Sequence, residues 1–403
     1  MALDKNGKPL PTGVTWVEKK NLYMGRFTYH GTPYTMYDKT LKGIQKKLTD
    51  KRYEATHGMA QRAAKTTLND WFEIWLHDYK LNKIKATSWQ NYGNLYDCQI
   101  RHTLGPLCLS QIKPIHIQKM YNDFIARGLS SKYLHNMNAI LYNLFDIAIR
   151  NELLLKNPCD GVIKPPITST ERRVLSMEEQ LRFLRFIQQE RWKFSEPTLT
   201  VLLGTGMRVG ELLGLNWEDI DFEQKSISIN KTLVYVKDHT TQKFHFAFQT
   251  PKTRHGNRII PMQSQVEQAL RRQEALQRSL RAKPDWNPQP KFERLVFAGH
   301  NGQPRQRTAI QCTLNRIVRA INDEETLAAQ QEGREPILME HLHPHALRHT
   351  FATRCFEVDM PPKTVQQLLG HASIQMTLDL YTHVSEQKKI ADISKLEQLF
   401  SSV

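Results

Sequence analysis

The sequence predicts a multidomain, mainly α-helical protein: a small α+β module at the N-terminus, an all-helical middle module, and a larger mixed α/β module that is mostly helical. Three observations predict it. Aromatic and β-branched residues crowd into short runs between Val14 and Tyr37, as strands require. Apolar residues recur at helical spacing through most of the remaining chain. Between residues 161 and 173 (GVIKPPITSTERR) that periodicity lapses into Gly, Pro, small polar and charged residues, which is linker chemistry. The modules are therefore placed at 1–65, 66–160 and 174–403, with 161–173 as linker.

In the first module, Val14–Val17, Asn21–Tyr29 and Pro33–Tyr37 read as three strands, turning at Glu18–Lys20 and His30–Gly31. A helix follows near Thr40–Arg52, with Leu41, Ile44 and Leu48 on one face and lysines on the other. Residues 1–65 carry 13 Lys+Arg against 5 Asp+Glu, half the excess positive charge of the chain. A basic sheet of this kind suits the groove of a nucleic acid, and the bland alternative is a solubilising appendage.

The middle module starts at Thr67-Leu-Asn-Asp70, a capping box with Asp in place of the usual Glu or Gln. Leu68, Trp71, Phe72, Trp75, Leu76 and Tyr79 form one stripe, and these aromatics read as core. Further helices are expected near 87–102, 114–127 and 131–150, ending before Asn157-Pro158. The third module opens with another capping box at Ser176-Met-Glu-Glu179. Ile227–Asn230, Leu233–Val236, Phe244–Phe248 and Arg258–Pro261 read as strands of one small antiparallel sheet. Helices dominate afterwards, and the polar stretch Asp323–Pro336 reads as a surface excursion.

The formal net charge is +16, which points to an acidic partner such as nucleic acid. Five widely spaced cysteines without a C-x-x-C pair fit a reducing cytosol rather than a disulfide framework or a cysteine zinc site. No apolar run is long enough to cross a membrane, so use inside the cell is expected, with no membrane partner.

Chemistry concentrates late in the chain. Arg208 follows the Gly204-Thr-Gly206 turn and leads into Glu211-Leu-Leu-Gly-Leu215. In HLHPHALRHTF, Pro344 can start a helix on which His345 and Arg348, three apart, share a face. In LGHASIQMTLDLY, Gly370 stops a helix, His371 sits on the connection, Ser373 caps the next segment, and that segment delivers Tyr381. Lys252, in TPKTRHGNRIIP, lies between two strand-like runs, as on a hairpin. Paired arginines suit a phosphate, a tyrosine can attack it, and histidines near neutral pKa can move the protons. Taken singly, Arg208 reads as a surface or ion-pair residue and Tyr381 as a core tyrosine. The cluster His341, His343, His345 and His349 invites a metal, but no H-E-x-x-H or cysteine supports one.

The ordered set Arg208, Lys252, His345, Arg348, His371 and Tyr381 resembles the tyrosine recombinase (phage integrase) family, over about residues 66–403 and most closely from 204 to 384. The module order is similar to integrases of conjugative transposons and temperate phages. The resemblance implies that Tyr381 attacks a DNA phosphate and leaves a 3′-phosphotyrosyl link. It implies that Arg208, Arg348 and His371 stabilise the phosphorane, Lys252 protonates the 5′-oxygen, and His345 assists proton transfer at the tyrosine. Glu211 would orient Arg208. No cofactor, metal or nucleotide is implied. The implied partners are double-stranded DNA at core and arm sites, a homo-tetramer on that DNA, and an excisionase or host DNA-bending protein. The setting would be the cytoplasm of a bacterial host. The module at 66–160 would be the core-binding domain and that at 1–65 an arm-binding domain, with Lys19, Lys20 and Arg26 touching DNA. The terminal stripe Ile390, Ile393, Leu396, Leu399 and Phe400 would dock in cis or in trans. Rival readings are a type IB topoisomerase, a non-catalytic DNA-binding regulator and a metal-dependent hydrolase.

Overall fold

The computed structural model describes the chain apart from residues 1, 5–6, 30, 57–64, 82, 168–171, 252–253, 382–392 and 394–403. It divides into two compact units, Met1–Ser169 and Thr170–Val403.

The first unit opens with β1 (Val14–Val17), β2 (Leu22–Tyr29) and β3 (Thr32–Asp38), antiparallel in the order β1-β2-β3. Arg26 pairs with Thr35 and Gly25 with Val14. Helix α1 (Leu41–Thr56) buries Ile44 and Leu48 with Val14 and Tyr23. Gly25 admits the close approach, because a Cβ there would lie 2.8 Å from Leu48 Cγ. Lys19, Lys20 and Arg26 are all exposed, with the Lys20 ammonium 4.8 Å from the centre of the Tyr37 ring.

The same unit continues with four helical segments. These are α2 (Leu68–Ile74), extended by a π-helical turn at Trp75–Lys80, then α3 (Ala86–Gln99), α4 (Pro114–Ala126) and α5 (Ser131–Arg150). The Thr67 capping box is complete: Asp70 N donates to Thr67 Oγ1 at 3.1 Å, and Thr67 N donates to Asp70 Oδ2 at 3.2 Å. The aromatics form the core as expected. Phe72 stacks on Tyr96 with ring centres 3.6 Å apart, and Trp71 Nε1 donates to Leu144 O at 3.0 Å. That bond spares the buried indole N–H an unsatisfied donor.

The second unit starts at α6 (Met177–Ile187), capped by Ser176 and Glu179 in the predicted box. Helix α7 (Glu196–Thr205) is buried on nearly every side, and α8 (Val209–Leu213) follows. The strands are β4 (Ile220–Asp221), β5 (Ser226–Ile229), β6 (Thr232–Lys237), β7 (Phe244–Gln249) and β8 (Arg258–Pro261). Helices α9 (Ser264–Arg281), α10 (Arg307–Glu332), α11 (Pro344–Glu357), α12 (Pro362–Leu369) and α13 (Gln375–Tyr381) complete it. Leu199, Leu202, Leu213, Ile227, Val266, Leu314 and Leu347 belong to one continuous core.

Three expectations need correction. The four predicted strands do not share a sheet: β5 pairs with β8 and with the short β4, while β6 and β7 form a separate hairpin. Alternation identifies a strand but not its partner, and a two-residue strand carries no period to read. Secondly, β7 and β8 therefore do not make a hairpin around residue 252, and Arg254–Gly256 between them is a 3₁₀ turn. Thirdly, most of Asp323–Pro336 is the end of α10, which runs 26 residues and stops at Gly333 with φ of 65°. Glu, Gln and Ala are strong helix formers, so polarity there marks the solvent side of a helix rather than a loop.

Candidate active site

Two helix ends build the site. Helix α7 stops at Gly206, whose φ of 61° is left-handed, and α12 stops at Gly370, with φ of 65°. Both glycines are also sterically required: a Cβ on Gly206 would lie 2.4 Å from the Phe351 ring, and one on Gly370 would lie 2.8 Å from His255 O. Such helix ends leave carbonyls without intrahelical partners and carry the negative pole of the helix. Here arginines fill them.

Arg348, on α11, is buried and donates Nη1 to Gly206 O at 2.8 Å and Nη2 to Leu369 O at 2.7 Å. Arg208 donates Nη2 to Gly370 O at 3.3 Å. A third arginine, Arg258 on β8, donates Nε to Leu368 O at 2.6 Å. Three successive carbonyls at one helix end thus hold three guanidinium groups. Glu211 stands between two of them, accepting from Arg208 Nη1 at 2.8 Å and from Arg258 Nη2 at 2.8 Å. It also accepts the Arg208 backbone N–H at 2.9 Å, so Arg208 is the N-cap of α8. Burial alone would raise the Glu211 carboxyl, but the Arg258 bond and charge, helped by Arg208, hold it down at about 2. Glu211 is therefore ionised and orients Arg208, as expected.

His371 is buried just beyond Gly370, and its Nδ1 pairs with Thr377 Oγ1 at 2.9 Å. Thr377 lies on α13, four residues before Tyr381, which ends that helix. Four residues are about one turn, so positions 377 and 381 share a face of α13. Ser373 accepts Gln375 N at 3.2 Å at the start of that segment, as predicted. Burial, then the charges of Arg348 and Arg208, push the His371 imidazole down to about 3. His345 keeps an exposed edge, and the protein beneath it together with Arg348 also lowers its pKa. Both rings are held toward the neutral form: buried His371 can offer an N–H to a phosphate oxygen, and the more open His345 can take up a proton. Burial and the charge of Arg208 lower Arg348 to about 9, so it remains a cation.

The other histidines have separate jobs. His343 caps α11 by accepting Ala346 N at Nδ1 at 3.1 Å, and His341 contacts Asn315 Oδ1 at 3.1 Å. His349 is partly buried, with an Nδ1 that has no hydrogen-bond partner. Among the described residues, no three His, Cys, Asp or Glu side chains come together in a way that could hold a metal ion. No helix among them is long and apolar enough to cross a membrane.

The structure thus brings Arg208, Arg348 and His371 to one helix end, with His345 one turn from Arg348. Lys252 lies outside the described residues, as does all of the terminal apolar stripe but Ile393. Tyr381 is placed by its backbone alone. Sequence reasoning missed Arg258 and Thr377. Arg258 was visible as the last letter of T-P-K-T-x-x-G-x-R, whereas Thr377 carried no signal beyond its place four residues before a tyrosine.

Comparison with known proteins decides the family. Residues 173–388, more than half the chain, match the model described as "Phage integrase family", and residues 67–125 match "Phage integrase, N-terminal SAM-like domain". The chain belongs to the phage integrase family. It is a tyrosine recombinase, an enzyme of site-specific DNA cleavage and rejoining. It is similar to the "Tyrosine recombinase XerC-like" protein of Caldanaerobacter subterraneus subsp. tengcongensis, with 29% identity over 90% of this chain and 91% of that one. It is also similar to the "Transposase from transposon Tn916" of Enterococcus faecalis, with 27% identity over 78% and 74%. Among solved structures, the Tn1549 transposon integrase in complex with a circular intermediate DNA covers 82% of this integrase and all of its own chain, at 25% identity and a TM-score of 0.66. These likenesses do not favour the topoisomerase or regulator readings.

Proposed function

We propose that this integrase moves a mobile element by cutting and rejoining duplex DNA at Tyr381. The observation that carries the reading is the convergence of Arg208, Arg348 and His371 on the Gly370 turn, beside the helix that ends in Tyr381. Tyr381 Oη forms a bond to the scissile phosphorus as the bond from phosphorus to the 5′-oxygen breaks. The tyrosyl proton passes to neutral His345, and Lys252 gives a proton to the leaving 5′-oxygen. The products are a 3′-phosphotyrosyl link and a free 5′-hydroxyl. A 5′-hydroxyl from a second duplex then attacks the link and releases Tyr381. Arg208, Arg348 and His371 stabilise the charge that builds on the phosphorane oxygens.

Duplex DNA is the partner, a reading supported by the +16 net charge and by the DNA-bound Tn1549 relative. Residues 66–160 and 174–403 grip the crossover core. Residues 1–65 read distant arm sites through Lys19, Lys20 and Arg26, which the exposure of all three supports. Four copies act on two duplexes in the cytoplasm of a bacterial host, with an excisionase or DNA-bending protein setting direction.

The test uses a nicked duplex spanning the junction between the element and its host, in excess EDTA. Wild type gives a covalent protein–DNA band on a denaturing gel and Tyr381→Phe gives none. A band from Tyr381→Phe, or none from wild type on DNA it binds, refutes the reading.

A further inference from the structure

We propose that Arg258, which is not one of the groups assigned to the phosphate, is the positioning residue that locks three separate parts of the active site into one geometry. The inference rests on the reading of the site given above.

Arg258 begins β8, where it pairs in register with Ile229. Its side chain is 6% exposed. All of its donating nitrogens are engaged: Nε with Leu368 O at 2.6 Å, Nη1 with Gly256 O at 3.2 Å, and Nη2 with Glu211 Oε2 at 2.8 Å. Each acceptor belongs to a different part of the site. Glu211 holds Arg208. Leu368 is in the last turn of α12, and the next two carbonyls hold Arg348 and Arg208 before the chain turns to His371. Gly256 lies in the turn that follows Lys252, four residues on.

The planarity of the guanidinium makes this arrangement stiff. Its donors lie in one rigid fork, so fixing two acceptors fixes the third. A lysine could neutralise Glu211 but could not donate to all three acceptors in the same directions. Arg258 is also packed tightly, since a Cβ on Gly370 would lie 3.0 Å from its Nη1. Three of its five N–H groups are spent on protein acceptors, and at 6% exposure the side chain offers a phosphate little approach. Arg208, in contrast, spends its bonds on Glu211 and one long contact, and its side chain is 36% exposed. The arginines divide the work: Arg208 and Arg348 are the pair assigned to the phosphate, and Arg258, bonded to Glu211, α12 and the Gly256 turn together, keeps their scaffold in register. Misplacement by about 1 Å can cost on the order of 10²-fold in rate, which sets the scale of its effect.

The experiment is single-turnover formation of the covalent complex on the nicked junction duplex, at DNA concentrations that saturate binding. The variants are Arg258→Gln, Arg258→Lys, Glu211→Gln and the double variant. Arg258→Gln is expected to bind DNA with the wild-type Kd and reach the wild-type amplitude, with a rate constant lower by about 10²-fold. Arg258→Lys should be slower than wild type, because charge alone does not restore the fork. The double variant should be no slower than the slower single variant, because both substitutions break one unit. A wild-type rate constant in Arg258→Gln would overturn the proposal. So would a loss of amplitude at an unchanged rate constant, which marks a misfolded fraction, or fully additive effects. Should Arg258→Gln fail to fold, Arg258→Lys decides, and a wild-type rate from it overturns the proposal. Tyr381→Phe runs in the same assay. A band from it removes the nucleophile assignment, whatever Arg258 does.

Discussion

Acid should destabilise this integrase through two histidines that the fold keeps neutral. Burial, then neighbouring arginine charge, lowers His371 to about 3 from 6.5. Burial, then His345 and Arg172, lowers His349 to about 3 from 6.5. In both cases the unfolded chain binds a proton that the folded chain refuses. Their contribution is therefore full above pH 6.5 and lost progressively as pH falls toward 3. Between pH 7 and pH 5, each histidine alone would cost about 2 kcal/mol at 1.36 kcal/mol per pKa unit. His349 is only partly buried and is screened by solvent, whereas His371 is buried, so about 2 kcal/mol, mostly from His371, is the working figure for the pair. The assay is urea unfolding at pH 7 and pH 5 for wild type and for His349→Asn/His371→Asn. Reading the difference between the two proteins cancels the carboxylates they share. The double variant should lose about 2 kcal/mol less than wild type on acidification. Equal losses in both proteins would mean that neither ring is held neutral, and the reading of His371 as a neutral donor to the phosphorane would fall with it.

Other perturbations probe separate links. Thr377→Val removes the partner of His371 Nδ1 at 2.9 Å and should slow covalent-complex formation by about 10-fold or more, whereas Thr377→Ser should keep most of the rate. Gly206→Ala forces a Cβ to within 2.4 Å of the Phe351 ring at a φ of 61°, so thermal unfolding should show a loss of at least about 1–2 kcal/mol, with cleavage lost as well because Gly206 O holds Arg348. Replacing Lys19, Lys20 and Arg26 together by Gln should flatten the slope of log affinity against log salt on long element-end DNA by up to about 3, and leave cleavage of a short core duplex unchanged.

Local signals in this chain were legible and long-range ones were not. The boxes at Thr67 and Ser176, Pro344 at a helix start and Gly370 at a helix stop each need only a few contiguous residues, and all four are found where the sequence put them. The partners of β5 through β8 depend on sheet pairing that alternation does not encode. The site divides in the same way. Arg208, His345 and His371 were readable because each sits at a helix end with its own signal, and Arg348 because it follows His345 by one turn on the helix that Pro344 starts. Arg258 acts through a carbonyl 110 residues away, and Thr377 through a ring that only the fold brings beside it.

The end of α12 has a consequence for how such an enzyme could rest. A terminal turn is the part of a helix that opens most readily. Here one turn supplies the oxygens of Leu368, Leu369 and Gly370 to three different strands and helices. Opening it would take one anchor from all three guanidinium groups at once, leaving Arg348 on Gly206 O and the other two on Glu211. Competence for cleavage would then pass from present to absent over a few ångströms of backbone. A chemistry that cuts DNA is safer with a threshold than with a gradient.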